Sequence, residues 1–252
     1  MRSLLITLFI SYLLCGALMT LFQRHLLYFP TTPQPHNYDT FNITKHKHVL
    51  NIIHINPGHE EALIYFGGNA ESVVFNATDY QQDFPQHTVY LVNYRGYDKS
   101  TGKPSEQALY EDALLIYDHI KPHHQHISVI GRSLGSGVAT FLATQRTITR
   151  MILVTPYDSV LSVAQAHYPM YPIHWMLHDS FDSLSRAPQI KTPSLIILAE
   201  HDSVIPKIHS IRLIKAFSEN SPSLITIANS NHDNLIHRAS YHTALQQFVS
   251  TP

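Results

Sequence analysis

Cysteine is almost missing from this chain: of 252 residues only Cys15 is one, and it stands inside an apolar segment. No disulfide framework and no cysteine-based metal site can be assembled from it. Charge is scarce as well. Asp, Glu, Lys and Arg make up 14% of the residues and leave a net charge of -1 with histidine neutral, so there is neither a basic surface for nucleic acid nor an acidic tail. Internal repeats and low-complexity tracts are also lacking. Histidine is the one excess, at 19 residues. The local groups His46/His48, His123/His124/His126 and His174/His178 have no Cys, Asp or Glu beside them at ligand spacing, and they read as surface or loop histidines rather than a metal site. The expectation is a protein without metal or cofactor and without a nucleic-acid partner.

What the chain does have is one long hydrophobic run. From Ser3 to Phe22 there is no charge, and Leu, Ile and Phe dominate, which is enough length to cross a bilayer core as a helix. A cleavage site of small residues is not evident, so an uncleaved anchor is favoured over a removed signal. Arg2 lies on one side, and Arg24, Lys45 and Lys47 on the other, which leaves the orientation open. Gln23 to Pro35 reads as an extended connector, and the division falls at residues 1–25 for anchor or signal and 26–252 for a single α/β domain.

Beyond the connector, strands and helices alternate. His48–Ile55, Ala62–Phe66, Thr88–Asn93, Met151–Val154, Ser194–Leu198 and Leu224–Ile227 read as strands. Ser72–Tyr80, a helix begun at Ser105, Ile208–Phe217 and Ser240–Val249 read as helices, a pattern that implies a mainly parallel sheet covered on both faces. Tyr168 to Asp182 differs from the rest: aromatics, prolines, the single Trp and two His form an irregular stretch that reads as a short cap or substrate-lining segment.

The centre of the chain is Ile127 to Ala143, where a β-branched strand breaks at Gly131 and restarts as a small-residue helix. Gly131-Arg132-Ser133-Leu134-Gly135 fits the G-x-S-x-G turn that lifts a serine hydroxyl above a sheet at a helix N-terminus. A serine needs a base within hydrogen-bond reach and a carboxylate to orient that base. Asp202 follows one later strand and His232 follows the next, so the order Ser133, Asp202, His232 meets the requirement. Asp158 is the alternative acid, and His237 and His242 are alternative bases that lie in or beside the last helix. Oxyanion donors are expected from the backbone N–H of Leu134 and from the Gly67-Gly68-Asn69 turn, with Asn69 preferred.

Leu26-Leu27-Tyr28-Phe29-Pro30, Phe66 to Glu71, Asn93 to Ser100, Gly131 to Gly137, Asp202 to Pro206 and Asn231 to Asn234 together resemble, in order, the blocks of membrane-anchored α/β-hydrolase-domain proteins, the branch that includes protein depalmitoylases and serine-aminopeptidase-like hydrolases. Gly67 stands where that family usually has His. The resemblance implies the α/β-hydrolase fold, a serine hydrolase and the triad Ser133, Asp202 and His232. Cleavage of ester or thioester bonds on lipid-like or acylated substrates at a membrane is the leading expectation. An amidase or peptidase of the same fold, or a non-catalytic binding protein, are the alternatives.

Overall fold

The computed structural model describes residues 1–45, 47–218 and 221–250; His46 lies outside the described residues. The chain opens with α1 (Arg2–Leu27) and continues through β1 (Asp39–Lys45), β2 (His48–Ile55), β3 (Glu61–Phe66), α2 (Ala77–Asp83), β4 (Thr88–Val92) and α3 (Glu106–Ile120). After these come β5 (His126–Arg132), α4 (Leu134–Gln145), β6 (Met151–Val154), α5 (Val160–His167), α6 (Ile173–Met176), β7 (Ser194–Ala199), α7 (Lys207–Ala216), β8 (Ser223–Ile227) and α8 (Ala239–Ser250).

The strands form one eight-stranded sheet in the order β1-β2-β4-β3-β5-β6-β7-β8. Pairing is antiparallel for β1 with β2 and β2 with β4, and parallel from β4 to β8. Side-chain alternation divides the core between the two faces. Ala62, Ile64 and Phe66 of β3 join Leu109, Ile116, Val138 and Leu142 under α3 and α4. Leu63 and Tyr65 of the same strand join Tyr80, Tyr241 and Leu245 under α2 and α8. Burial on both faces explains why these strands are runs of Val, Ile and Leu with few polar interruptions. Because the strands from β4 to β8 run the same way, the loops after β3, β5, β7 and β8 emerge along one edge of the sheet.

Four expectations change. Strand β5 does not break at Gly131 but continues through Arg132. Helix α1 does not end near Phe22: it runs through Gln23, Arg24 and His25 to Leu27, so the extended connector begins at Tyr28 and the division at residue 25 falls inside the last helical turn. Gln23 and Arg24 stay helical because their side chains find partners on the cap. Gln23 donates to the Met176 carbonyl and accepts from the His178 amide, and Arg24 pairs with Asp179. His124, read from sequence as a surface or loop residue, lies in the loop before β5 but is buried: its Nε2 lies 2.7 Å from the Tyr90 hydroxyl and its Nδ1 2.8 Å from the His59 carbonyl. Finally, the cap begins earlier than Tyr168, with α5, capped by Ser159, whose hydroxyl accepts from the Ser162 amide.

Candidate active site

The turn after β5 is built by close approach. A Cβ on Gly135 would lie 2.0 Å from the Phe66 carbonyl oxygen, and one on Gly131 would lie 2.4 Å from the Gly135 carbonyl oxygen. Only glycine lets α4 start directly against β3 and β5. Between them Ser133 adopts φ 48° and ψ -115°, a left-handed backbone that is strained for a side chain with a Cβ. Its amide donates to the Val154 carbonyl at 2.9 Å, and its carbonyl accepts from the Ser136 amide at 2.9 Å and the Ser136 hydroxyl at 2.6 Å. Ser136 is thereby tied down and fully buried, whereas the Ser133 hydroxyl faces the loop after β8.

That loop carries His232, whose Nε2 lies 3.0 Å from Ser133 Oγ. Its Nδ1 lies 2.8 Å from Asp202 Oδ2. A carboxylate at Nδ1 fixes the proton there, so the Nε2 lone pair faces the serine hydroxyl. Asp202 is itself oriented, since its other oxygen accepts from the amides of Val204 at 2.9 Å and Ile205 at 2.8 Å. The three residues expected from sequence are thus brought together as one hydrogen-bonded line. The alternatives are engaged elsewhere. Asp158 is buried against His209 at 2.8 Å and near Arg212, His242 pairs with Asp83 at 2.6 Å, and His237 is exposed.

A cavity of about 280 Å³ lies over Ser133, lined by Gly68, Asn69, Ala70, His232, Asp233 and Ile236 among others. Asn69 and Leu134 follow β3 and Ser133 respectively, and among the described residues neither backbone N–H is paired with an acceptor. The Gly68 amide is different, being held by the Glu71 carboxylate. No cap residue lines this cavity among those described; the cap lies instead against α1, around a separate apolar groove of about 130 Å³ bounded by Met19, Leu26, Leu27, Val160, Ile173 and Met176.

Two groups of residues went unassigned in the sequence. Glu71 accepts from the Tyr65 hydroxyl and the Asn76 amide, each at 2.6 Å, from the Gly68 amide, and from Arg132 at 2.7 Å. Arg132 also donates to the His232 carbonyl at 3.0 Å. One buried ion pair therefore ties the loop after β3, the serine turn and the histidine loop together. Burial pushes the Glu71 carboxyl up, but the Arg132 guanidinium, aided by Tyr65 and Gly68, outweighs it and holds the group below the usual carboxylate value. The second group is the Asn69 side chain. Its oxygen accepts from the Tyr97 hydroxyl at 2.7 Å and the Phe29 amide at 3.0 Å, and its nitrogen donates to the Leu27 carbonyl at 2.6 Å. Neither group has a local sequence signature, because the pairs that matter, Glu71 with Arg132 and Asn69 with Leu27, are separated by 61 and 42 residues.

A protein-family profile described as Serine hydrolase (FSH1) matches residues 63–232, well over half the chain. An uncharacterized Mycobacterium tuberculosis protein is 35% identical over 136 residues, 52% of this chain and 48% of its own length. Alpha/beta hydrolase domain-containing protein 17B of Xenopus laevis is 28% identical over 168 residues, covering 64% of this chain and 56% of that protein. The chain spans about half the length of the curated relatives it matches. In fold it is similar to a Pyrococcus furiosus esterase, with a TM-score of 0.68 at 17% identity over 88% of this chain and 98% of the other. A hydrolase from Pseudomonas aeruginosa gives a TM-score of 0.68 at 16% identity over 84% and 99%. With the profile running from β3 to the histidine loop and the fold similar to these hydrolases over most of the chain, the chain belongs to the FSH1 serine hydrolase family and has the α/β-hydrolase fold.

Proposed function

We propose that this protein hydrolyses carboxylic ester or thioester bonds of lipid-like or acylated substrates through an acyl-enzyme on Ser133. The observation that carries the reading is the hydrogen-bonded line from Asp202 through His232 to the Ser133 hydroxyl, at 2.8 and 3.0 Å. Ser133 Oγ attacks the carbonyl carbon while its proton passes to His232 Nε2, and the imidazolium formed is stabilised by Asp202. The tetrahedral oxyanion accepts from the N–H groups of Asn69 and Leu134, at the positive end of α4. His232 returns the proton to the leaving alkoxide or thiolate, and a water then attacks the acyl-enzyme with His232 again as base.

The apolar acyl preference and the membrane setting are supported by α1, which is long and apolar enough to span a bilayer, with a mean hydropathy of 2.3 over its best window. The apolar groove at its C-terminal end adds to this, because Leu27 lines it and is hydrogen-bonded to Asn69 in the site. The description of the Pyrococcus furiosus neighbour as an esterase is in keeping with the chemistry.

The test is covalent labelling by a fluorophosphonate, followed by rates on matched p-nitrophenyl ester, acyl thioester and acyl amide substrates. Labelling and ester or thioester turnover are expected, and both should vanish in Ser133→Ala. Absence of labelling in folded protein points to a binding protein instead, and faster turnover of the amide moves the reading to an amidase.

A further inference from the structure

The cap and α1 lie side by side over much of the helix. Tyr12 stacks on Tyr171 with ring centroids 4.6 Å apart and interplanar angle 2°, and its hydroxyl donates to the Met170 carbonyl at 2.7 Å. Gly16 faces Tyr171, and Gln23 reaches Met176 and His178. From Tyr12 to Leu27 is about 22 Å of helix, and only about 15 Å projects beyond the cap toward Arg2, at 1.5 Å per residue. A bilayer core is about 30 Å thick. The projecting part is therefore too short to cross it alone, and if α1 spans, the tip of the cap lies inside one leaflet.

The cap has the composition for that position. From Ser159 to His178 there is no Asp, Glu, Lys or Arg. The flanking acids are both held inward, Asp158 by His209 and Asp179 by Arg24 and Tyr28. At the tip, Trp175 is 80% exposed, Met170 62% and Tyr168 48%, and the Trp175 ring leans on the neighbouring His174 with centroids 4.6 Å apart. Irregular backbone is tolerated at membrane depth only where its polar groups are satisfied internally. Here Gln165 donates to the Tyr168 and Tyr171 carbonyls and accepts from the Ile173 amide, Tyr12 donates to Met170, and Gln23 donates to Met176. Pro169 and Pro172 have no N–H to satisfy. Hydroxyls of the helix are likewise turned onto its own carbonyls, as in Thr20 onto Gly16.

We infer that the cap tip, Tyr168 to Met176, is immersed with α1 in the hydrocarbon of one bilayer leaflet, so that the groove between them opens directly to lipid chains. The inference rests on the reading of α1 as a membrane helix. Arg24 and Asp179 then mark the level of the headgroups, and the sheet stands in water above them.

Trp175 is the single tryptophan and reports on the tip without any substitution. Full-length protein is reconstituted in phosphatidylcholine vesicles, washed at alkaline pH and floated, and its tryptophan emission is measured with bromine atoms on the lipid acyl chains or with iodide in the water. The expected result is co-flotation, a blue-shifted emission, loss of most of it to brominated chains and little loss to iodide. Co-flotation with emission quenched by iodide but not by bromines overturns the inference while leaving α1 as the anchor. Failure to float overturns the membrane reading of α1 and this inference with it. A blue-shifted emission that neither quencher reaches means that a second copy of the chain covers the tip, and also overturns it.

Discussion

At the scale of single residues, the two buried acid pairs separate catalysis from stability. Asp202→Asn leaves His232 without the carboxylate that fixes its tautomer, so kcat on a soluble ester should fall by roughly ten-thousandfold with the unfolding midpoint almost unchanged. Asp158→Asn should do the reverse, because Asp158 is buried against His209 while His232 is held by Asp202: activity near wild type, and a lower midpoint in urea. A large kcat loss at Asp158 would transfer the acid to that strand. Glu71→Gln removes the charge that faces the buried Arg132 and should cost about 3–5 kcal/mol of folding stability, as breaking one partner of a buried pair does. Urea unfolding of the two single variants and of Glu71→Gln with Arg132→Met checks this, since the double variant should lose much less than the sum. Asn69→Ala also acquires a cost that its backbone role does not suggest. It keeps the donor N–H but frees the end of α1 and Tyr97, so kcat should drop measurably while Ser133 still takes up a fluorophosphonate.

At the scale of elements, α8 is fastened to α2 by His242 and Asp83 at 2.6 Å. The hydrogen bond that His242 donates to the Asp83 carboxylate raises the imidazole above its ordinary value of 6.5. A raised folded-state value means that the contribution is fully present below that ordinary value and is lost as pH rises through the higher folded one. Thermal midpoints should therefore decline across that interval in the wild type, and Asp83→Asn should flatten the decline. Which elements were legible follows from burial. Strands β3, β4, β6 and β7 are apolar on both faces and announce themselves, and the G-x-S-x-G turn requires glycines whose reason is a contact with β3. Strand β1 was missed because it lies at the sheet edge with Ile43 its only buried residue, which leaves Asp-Thr-Phe-Asn-Ile-Thr-Lys without a readable period. Helix α5 was missed because none of its residues is fully buried, and Gln23 to Leu27 looked like connector because their partners are on the cap. The serine, acid and base were legible through chain order and strand ends. The Glu71–Arg132 pair was not, since 61 residues separate two side chains that meet only when β3 and β5 pair.

At the scale of the whole molecule, removal of residues 1–22 leaves the sheet, the site and Gln23 to Leu27 in place and strips the preceding part of α1 from the cap. Turnover of a short soluble ester should survive, within a few-fold of the full chain, whereas turnover of an ester held in vesicles should fall far more, because tethering sets the local substrate concentration. Loss of both activities would mean that the upper helix is part of the catalytic fold. The cap contacts of α1 carry one more consequence. Tyr12, Gly16, Gln23 and Leu27 are spaced by four, seven and four residues, which at about 100° per residue keeps them at nearly one angular position around the helix. The helix is therefore phased as well as long. Deleting one residue between Gly16 and Gln23 turns Tyr12 and Gly16 about 100° away from Tyr171, while inserting seven there lengthens the helix by about 10 Å and brings the same angular position back to the cap.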